Sequence, residues 1–380
     1  MSHSKLRVGI LFGGKSIEHE ISLISAKNVI EAMDKEKYEI VLIAIDKQGE
    51  WHLKQAAEFL AFAEDAKLVH LHGEKQTVAL VPKQQRKELV SYSGNQLANS
   101  LALDVIFPIL HGPMGEDGTM QGLLTLANIP FVGAGVLGSA IGMDKDVMKR
   151  LLRDAKIPIG KFITVLKHQK QQCDFETVAQ EIGLPFFVKP ANAGSSVGVS
   201  KVCCESDFKE ALDCAFLYTR KVLLEEFIPG REIECSVLGN ENPIASLPGE
   251  VIPQHEFYSY EAKYLDEQGA LFQIPVPLPN ELIEKVQRMS INAYQALCCE
   301  GMARIDFFLK DNGDLLVNEI NTIPGFTKIS MYPKNWEASG VSYSELIDRL
   351  ISLAIERHAQ ESCLATSVTR SDGTKISEQV

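Results

Sequence analysis

Four polar side chains between Ala303 and Ile323 have the types and spacing to hold a divalent cation against a reacting carbonyl. Asp311-Asn312-Gly313-Asp314 reads as a tight reversal, because Asn-Gly accepts the positive φ angles of a type I′ turn. A hairpin centred between Asn312 and Gly313 sets Asp306 opposite Glu319 and Arg304 opposite Asn321, and the two-residue period of a strand turns all four to one surface. Directly opposed carboxylates repel unless a cation lies between them. Oxygen donors from Asp306, Glu319 and Asn321 suit Mg²⁺, which takes few protein oxygens and completes its shell with phosphates and water. Arg304 beside them is placed to stabilise negative charge developing on a carbonyl. The flanking Ile305, Phe307, Leu309, Leu315 and Val317 are apolar, which favours a metal site over a solvated edge.

Three stretches compete for a nucleotide. Gly9-x-x-x-x-Gly14-Lys15-Ser16 satisfies the Walker A pattern, with Leu42 to Asp46 as a possible Walker B strand. Gly9, however, falls inside an apolar strand, which leaves only Gly13 to Ser16 as loop, too few N–H groups to wrap a triphosphate. Gly133-x-Gly135-x-x-Gly138 satisfies the dinucleotide fingerprint, but the next strand, Lys161 to Leu166, ends in Lys167-His168 where a ribose-binding acid is needed. Gly194-Ser195-Ser196-x-Gly198 joins two strands. Such a loop can close over phosphates while Lys189 supplies fixed charge from the preceding strand, and a purely structural hairpin would look the same.

Placing these groups requires three units. Val8 to Phe12, the helical pattern Ile17 to Met33 with Ile17, Ile21 and Ile24 apolar, and Tyr38 to Ile45 form a βαβ opening. With the strand Val105 to Leu110 and a short strand at Phe131-Val132, they predict an open parallel sheet with ligands at its strand ends; residues 51–100 give no clear order. A helix from Asp144 stops near Ala155, before Ile157-Pro158, and a strand-rich unit follows through Lys201. The last unit has strands from Lys221, a Tyr- and Pro-rich loop from Glu250 to Pro279, and a helix marked by Leu282, Val286, Met289, Ala293 and Leu297. Beyond the metal hairpin, Ser342-x-x-Glu345 caps a final helix reaching about His358. The expected division is 1–137, 138–220 and 221–360, with a tail, 361–380, too polar and charged to fold.

A chain of 380 residues, 45% of them hydrophobic, can bury full cores. A net charge of −12 argues against a nucleic-acid partner, since phosphate-backbone affinity comes from Lys and Arg. The first apolar run is too short for a signal or membrane segment, so the expectation is a cytoplasmic protein. The eight cysteines include no Cys-x-x-Cys and read as reduced.

The motifs together resemble the D-alanine:D-alanine ligases of the ATP-grasp superfamily, over about residues 5 to 358. They are Gly13-Gly14-x-Ser16-x-Glu18-His19-x-x-Ser22, His111-Gly112-x-x-Gly115-Glu116-Asp117-Gly118, Lys189-Pro190 with Gly194 to Gly198, Glu261-Ala262-Lys263-Tyr264, Arg304-Ile305-Asp306 and Asn318-Glu319-Ile320-Asn321-Thr322-x-Pro324-Gly325. The resemblance implies an α/β chain with the ATP-grasp fold, its ATP-binding part α+β, that joins two D-alanines through an acyl phosphate for peptidoglycan synthesis. It implies ATP held by Lys145, Lys189, Ser195, Ser196, Glu225 and Glu232, with a pair of Mg²⁺ ions, or Mn²⁺, on Asp306, Glu319 and Asn321. Glu18 would hold the first ammonium, Arg304 and Gly325 the oxyanion, and Ser330 the second carboxylate. Lys263 would act at the phosphate, His111 near the first substrate, and Ser195 with Tyr264 would join Glu18 in holding the closed loop. A homodimer is implied as well. The alternatives are a D-alanine:D-lactate or D-serine ligase, against which Tyr264 speaks, and a P-loop NTPase.

Overall fold

The computed structural model describes residues 5–55, 76–81, 88–93, 96–253 and 270–365. The chain opens with β1 (Leu6–Gly13), α1 (His19–Ala32) and β2 (Tyr38–Ile45), β1 and β2 lying parallel. Val8, Ile10 and Phe12 enter one core and Leu11 another, so β1 is covered on both faces and reads as an unbroken apolar run. The helix starts at His19, with Glu18 at its N-cap, and Ile17 is therefore 55% exposed rather than part of the apolar stripe.

The strands β3 (Trp51–Lys54), β4 (Gln76–Val81), β5 (Glu88–Ser93) and β6 (Gln96–Ala102) form an antiparallel meander beyond β2, and β7 (Val105–Ile109) runs parallel to β1 on the other side. The expected parallel sheet is thus the β2-β1-β7 portion of a mixed sheet, and the span left unordered by the sequence supplies its antiparallel edge. Helices α2 (Thr119–Leu126), α3 (Val136–Met143) and α4 (Lys145–Asp154) lead out of this unit, α3 crossing the expected boundary at 137. The Asp144 carboxylate caps α4 by accepting from Val147 N–H at 3.1 Å.

The central unit contains β8 (Phe162–Leu166), α5 (Phe175–Ile182), β9 (Phe186–Pro190), β10 (Ser200–Val202), α6 (Glu205–Tyr218) and β11 (Lys221–Glu226). Its antiparallel sheet has the order β10-β9-β11-β8, so β11 pairs here, past the expected boundary at 220. Phe186, Val188, Val222 and Leu224 face a core closed by Val178 and Ile182 of α5 and Phe208 and Leu212 of α6. The alternate residues of β9 and β11, among them Phe187, Lys189 and Glu225, face the other way.

The last unit is built on β12 (Arg231–Gly239), β13 (Ile244–Ala245), β14 (Gly249–Pro253), β15 (Ala270–Gln273), α7 (Asn280–Ala296), β16 (Gly301–Leu309) and β17 (Leu315–Asn321). The order is β15-β14-β12-β16-β17, with β13 on β12. Val286, Met289 and Ala293 of α7 pack on Ile233, Cys235, Ile305 and Phe307, as the helical period requires. Helices α8 (Met331–Ala338) and α9 (Tyr343–Ser362) follow. Ser342 caps α9 through Glu345 N–H, and the helix continues past His358 to Ser362; residues 366–380 of the expected tail lie outside the described residues.

Leu346, Ile347, Leu350 and Ile351 of α9 share one core with Val8, Ile10, Phe107, Leu238 and Met302, which fuses the first and last units. All eight cysteines are free. Among the described residues no helix is long and apolar enough to cross a membrane.

Candidate active site

The hairpin β16–β17 sets Asp306 opposite Glu319 and Arg304 opposite Asn321, as the sequence predicts. It reaches that register by a different route. Gly313 N–H donates to Lys310 O and Lys310 N–H to Asp314 O, so Asp311, Asn312 and Gly313 form a three-residue loop. Only Gly313 in this loop has positive φ, +83°, which rules out a type I′ turn and matches a turn closed by a left-handed glycine. Leu309 then faces Leu315 and Phe307 faces Val317, one residue out of the expected register, until a β-bulge between Asp306 and Phe307 restores it. The bulge makes Asn318 and Glu319 line the cavity side by side, where strict alternation would turn one of them away.

Arg304 donates to Asp306 from Nε (2.8 Å) and Nη2 (2.8 Å), and its Nε also lies 2.8 Å from Glu234 Oε2. Asn321 Nδ2 donates to Asp306 at 2.9 Å. Lys145 Nζ is 3.3 Å from Glu319 and donates to Ala193 O at 3.1 Å. The acids beside Arg304 hold its guanidinium firmly protonated despite burial. Asp306, Glu319 and Asn321 offer hard oxygens at one cavity wall, a donor set that fits Mg²⁺ or Mn²⁺.

Two cavities meet at this wall, both lined by Gly194, Ser195, Glu232, Phe308, Asn318 and Glu319. One is an apolar slot between Phe187, Phe227, Ile228 and Phe308 that ends on Lys189 and Glu225. Lys149, 1% exposed, and Lys189 each contact a different oxygen of the buried Glu225 carboxylate. The two cations hold Glu225 ionised against its desolvation.

The other cavity is lined by Glu18, His111, Glu116, Arg304, Gly325 and Ser330. Ser195 Oγ donates to Glu18, carrying the β9–β10 loop onto the N-terminus of α1; Ser195 and Ser196 take left-handed backbone, φ +51° and +59°. A side chain at Gly112 would meet Glu18 Oε2 at 2.5 Å, so glycine is required where the His111 loop passes the acid. His111 Nδ1–H donates to Ile323 O at 3.2 Å, leaving Nε2 to accept from Ser25 Oγ at 3.1 Å; burial lowers its pKa to about 4, and the ring is neutral. Burial and the Glu18 charge push Glu116 up to about 8, while Gly112 and Ile323 N–H groups donate to it. Ser330 Oγ accepts from Thr327 N–H at 2.9 Å and stands at the N-cap of α8.

The structure thus gathers Glu18, His111, Lys145, Lys189, Ser195, Ser196, Glu225, Glu232, Arg304, Asp306, Glu319, Asn321, Gly325 and Ser330 around the paired cavities. Lys263 and Tyr264 lie outside the described residues. Lys149, Glu234, Glu116 and Asn318 have no role assigned from sequence. Lys149 follows Lys145 by one helical turn and Glu234 follows Glu232 on the same strand face, which are usable signals; the bulge that turns in Asn318 has none.

Both decoy motifs find other uses. Lys15 is exposed and packs beside Gly49, away from both cavities. Gly138 lies where a side chain would meet Cys298 O at 2.6 Å, and Gly133 packs on Met302, so these glycines serve close packing against the last unit.

A family model for the D-ala D-ala ligase N-terminus matches residues 7–134, and one for the D-ala D-ala ligase C-terminus matches residues 151–352. A D-alanine--D-alanine ligase of Shouchella clausii is 53% identical over 96% of this chain and 99% of its own. D-alanine--D-alanine ligase A of Escherichia coli K12 is 51% identical over 96% of this chain and 100% of its own. The solved D-alanine-D-alanine ligase of Coxiella burnetii superposes with a TM-score of 0.83 at 40% identity, covering 95% of this chain and 97% of that one.

Proposed function

The chain belongs to the D-alanine–D-alanine ligase family, and from that membership we infer an ATP-dependent ligase with the ATP-grasp fold that joins two D-alanines into the dipeptide used for peptidoglycan synthesis. The observation that carries the site assignment is the pair Asp306 and Glu319, opposed across β16–β17 where the two cavities meet. The apolar slot suits an adenine ring, with Glu225 as acceptor for its amine, Glu232 for ribose hydroxyls, and Lys145, Lys189 and the Ser195-Ser196 backbone for phosphates. Asp306, Glu319 and Asn321 would hold Mg²⁺, or Mn²⁺ in its place, which when bound would neutralise phosphate charge.

In this reading Glu18 binds the ammonium of the first D-alanine, and a carboxylate oxygen of that D-alanine attacks the γ-phosphorus as ADP leaves. The amine of the second D-alanine then attacks the acyl carbon, and phosphate departs with the original carboxylate oxygen. Arg304 and Gly325 N–H stabilise the tetrahedral oxyanion. Ser330, at the N-terminus of α8, receives the second carboxylate. His111 holds the loop rather than moving a proton, because its ring is neutral and both nitrogens are engaged. Lys263 at the phosphate, and Tyr264 with Ser195 and Glu18 in loop closure, complete the scheme. Water exclusion protects the acyl phosphate.

Small-molecule partners and the absence of a membrane-length helix among the described residues fit a cytoplasmic enzyme. Exposed Leu123 and Leu126 on α2 and Val136 and Leu137 on α3 support a homodimer. The test is ADP release with D-alanine, L-alanine, D-lactate and D-serine, with mass analysis of products. D-alanine should give ADP and its dipeptide while L-alanine gives neither; faster turnover with D-lactate or D-serine as second substrate would reassign it.

A further inference from the structure

We propose that Glu234 is a positioning residue which takes up the charge of Arg304 and so leaves the Asp306 carboxylate available to a divalent cation; this rests on the metal reading given above. The register across β12, β16 and β17 sets Glu234, Asp306 and Glu319 in one row and Ser236, Arg304 and Asn321 in the next. Like charges directly opposed weaken strand pairing, so three acids abreast require cations among them. Lys145 stands 3.3 Å from Glu319 at one end of the row, and Arg304 lies between the other two acids.

Arg304 is divided between them. Its Nε is 2.8 Å from Glu234 Oε2 and 2.8 Å from Asp306 Oδ1, while Nη2 reaches Asp306 Oδ2 at 2.8 Å. Both oxygens of Asp306 are therefore engaged by the guanidinium, and a cation approaching Asp306 competes with it. Were Asp306 the sole partner, giving it up would strand a largely buried cation, which is strongly unfavourable. Glu234 provides the partner that remains. Neither contact uses Nη1, so an Arg304 resting on Glu234 keeps a donor for a reacting oxygen. Glu234 is itself fixed from behind, where Asn335 Nδ2 of α8 donates to its carbonyl at 3.2 Å.

The test is Mn²⁺ binding, followed by electron paramagnetic resonance, to the full-length protein with ADP. The variants are Asp306→Asn, Glu234→Gln, Arg304→Met and the double variant Glu234→Gln/Arg304→Met. The double variant removes both charges, so it leaves no stranded ion and keeps the comparison informative if Glu234→Gln folds poorly. Glu234→Gln should weaken Mn²⁺ binding by about tenfold, the usual scale for a group that supports a metal ligand. The double variant should bind Mn²⁺ as tightly as Arg304→Met alone. The proposal is overturned if Glu234→Gln binds like wild type while Asp306→Asn does not. It is equally overturned if Glu234→Gln weakens binding as much in the Arg304→Met background as in the wild type, because Glu234 would then be a ligand or a plain charge. Undiminished binding by Asp306→Asn removes the metal reading itself, and the proposal with it.

Discussion

Burial beside Glu18 keeps Glu116 protonated up to about pH 8, so the cavity assigned to an ammonium carries one proton more than its residue types imply. The consequence for stability has a definite sign. An unfolded chain releases this proton near the ordinary value of 4.5, whereas the folded protein holds it to about 8. Between those values the folded state binds more protons, and this contribution to stability is lost as pH rises. Thermal melts across that window should show a steeper fall for the wild type than for Glu116→Gln; parallel profiles would mean that Glu116 ionises normally. Nothing in the local sequence announces the shift, because it arises from burial in the folded cavity and from an acid almost a hundred residues earlier in the chain.

The loop from Thr322 to Ser330, which carries Gly325 and Ser330, is anchored in the core by Phe326. Phe326 is fully buried, packed edge-on against Phe107 at 5.8 Å and beside Tyr332 at 5.5 Å, while its carbonyl accepts from Tyr343 OH at 2.6 Å. Phe326→Ala should cost about 3–5 kcal/mol of stability, as for other buried aromatics. At temperatures where the variant remains folded, its KM for the second D-alanine should rise more than its KM for ATP; an equal rise in both would mean general loosening.

Elements of this kind are unevenly legible in the sequence. The βαβ opening, α7 and the cap of α9 follow from periodicity, because their burial is one-sided or complete. The hairpin β16–β17 reads in the correct register although its turn does not: the longer loop and the bulge at Asn318 offset each other, and only the composition of the turn is visible in sequence. Helices α5 and α6 escape the sequence reading, although Phe175, Val178 and Ile182 have helical spacing and Asp174 caps them. The meander β3 to β6 lacks strong alternation because it widens the sheet at its edge.

At the scale of the whole molecule, the site exists because three pieces of chain meet. The first and last units share one core, which fixes Glu18 and His111 relative to Arg304, Gly325 and Ser330. The central sheet has its own core and brings Lys189, Glu225 and the Ser195 loop to the opposite side. Sequence order discloses the participating motifs but not the contacts Lys149–Glu225 and Arg304–Glu234, whose partners lie far apart along the chain. Enclosing a carboxylate, a nucleotide and an amine in joined cavities has one chemical purpose in this account, to pass the carboxylate through an acyl phosphate. The most direct test uses D-alanine labelled with ¹⁸O in its carboxylate and mass analysis of the phosphate released. Each phosphate should carry one oxygen from D-alanine. Unlabelled phosphate formed together with the dipeptide, or label appearing in the nucleotide instead, would contradict it.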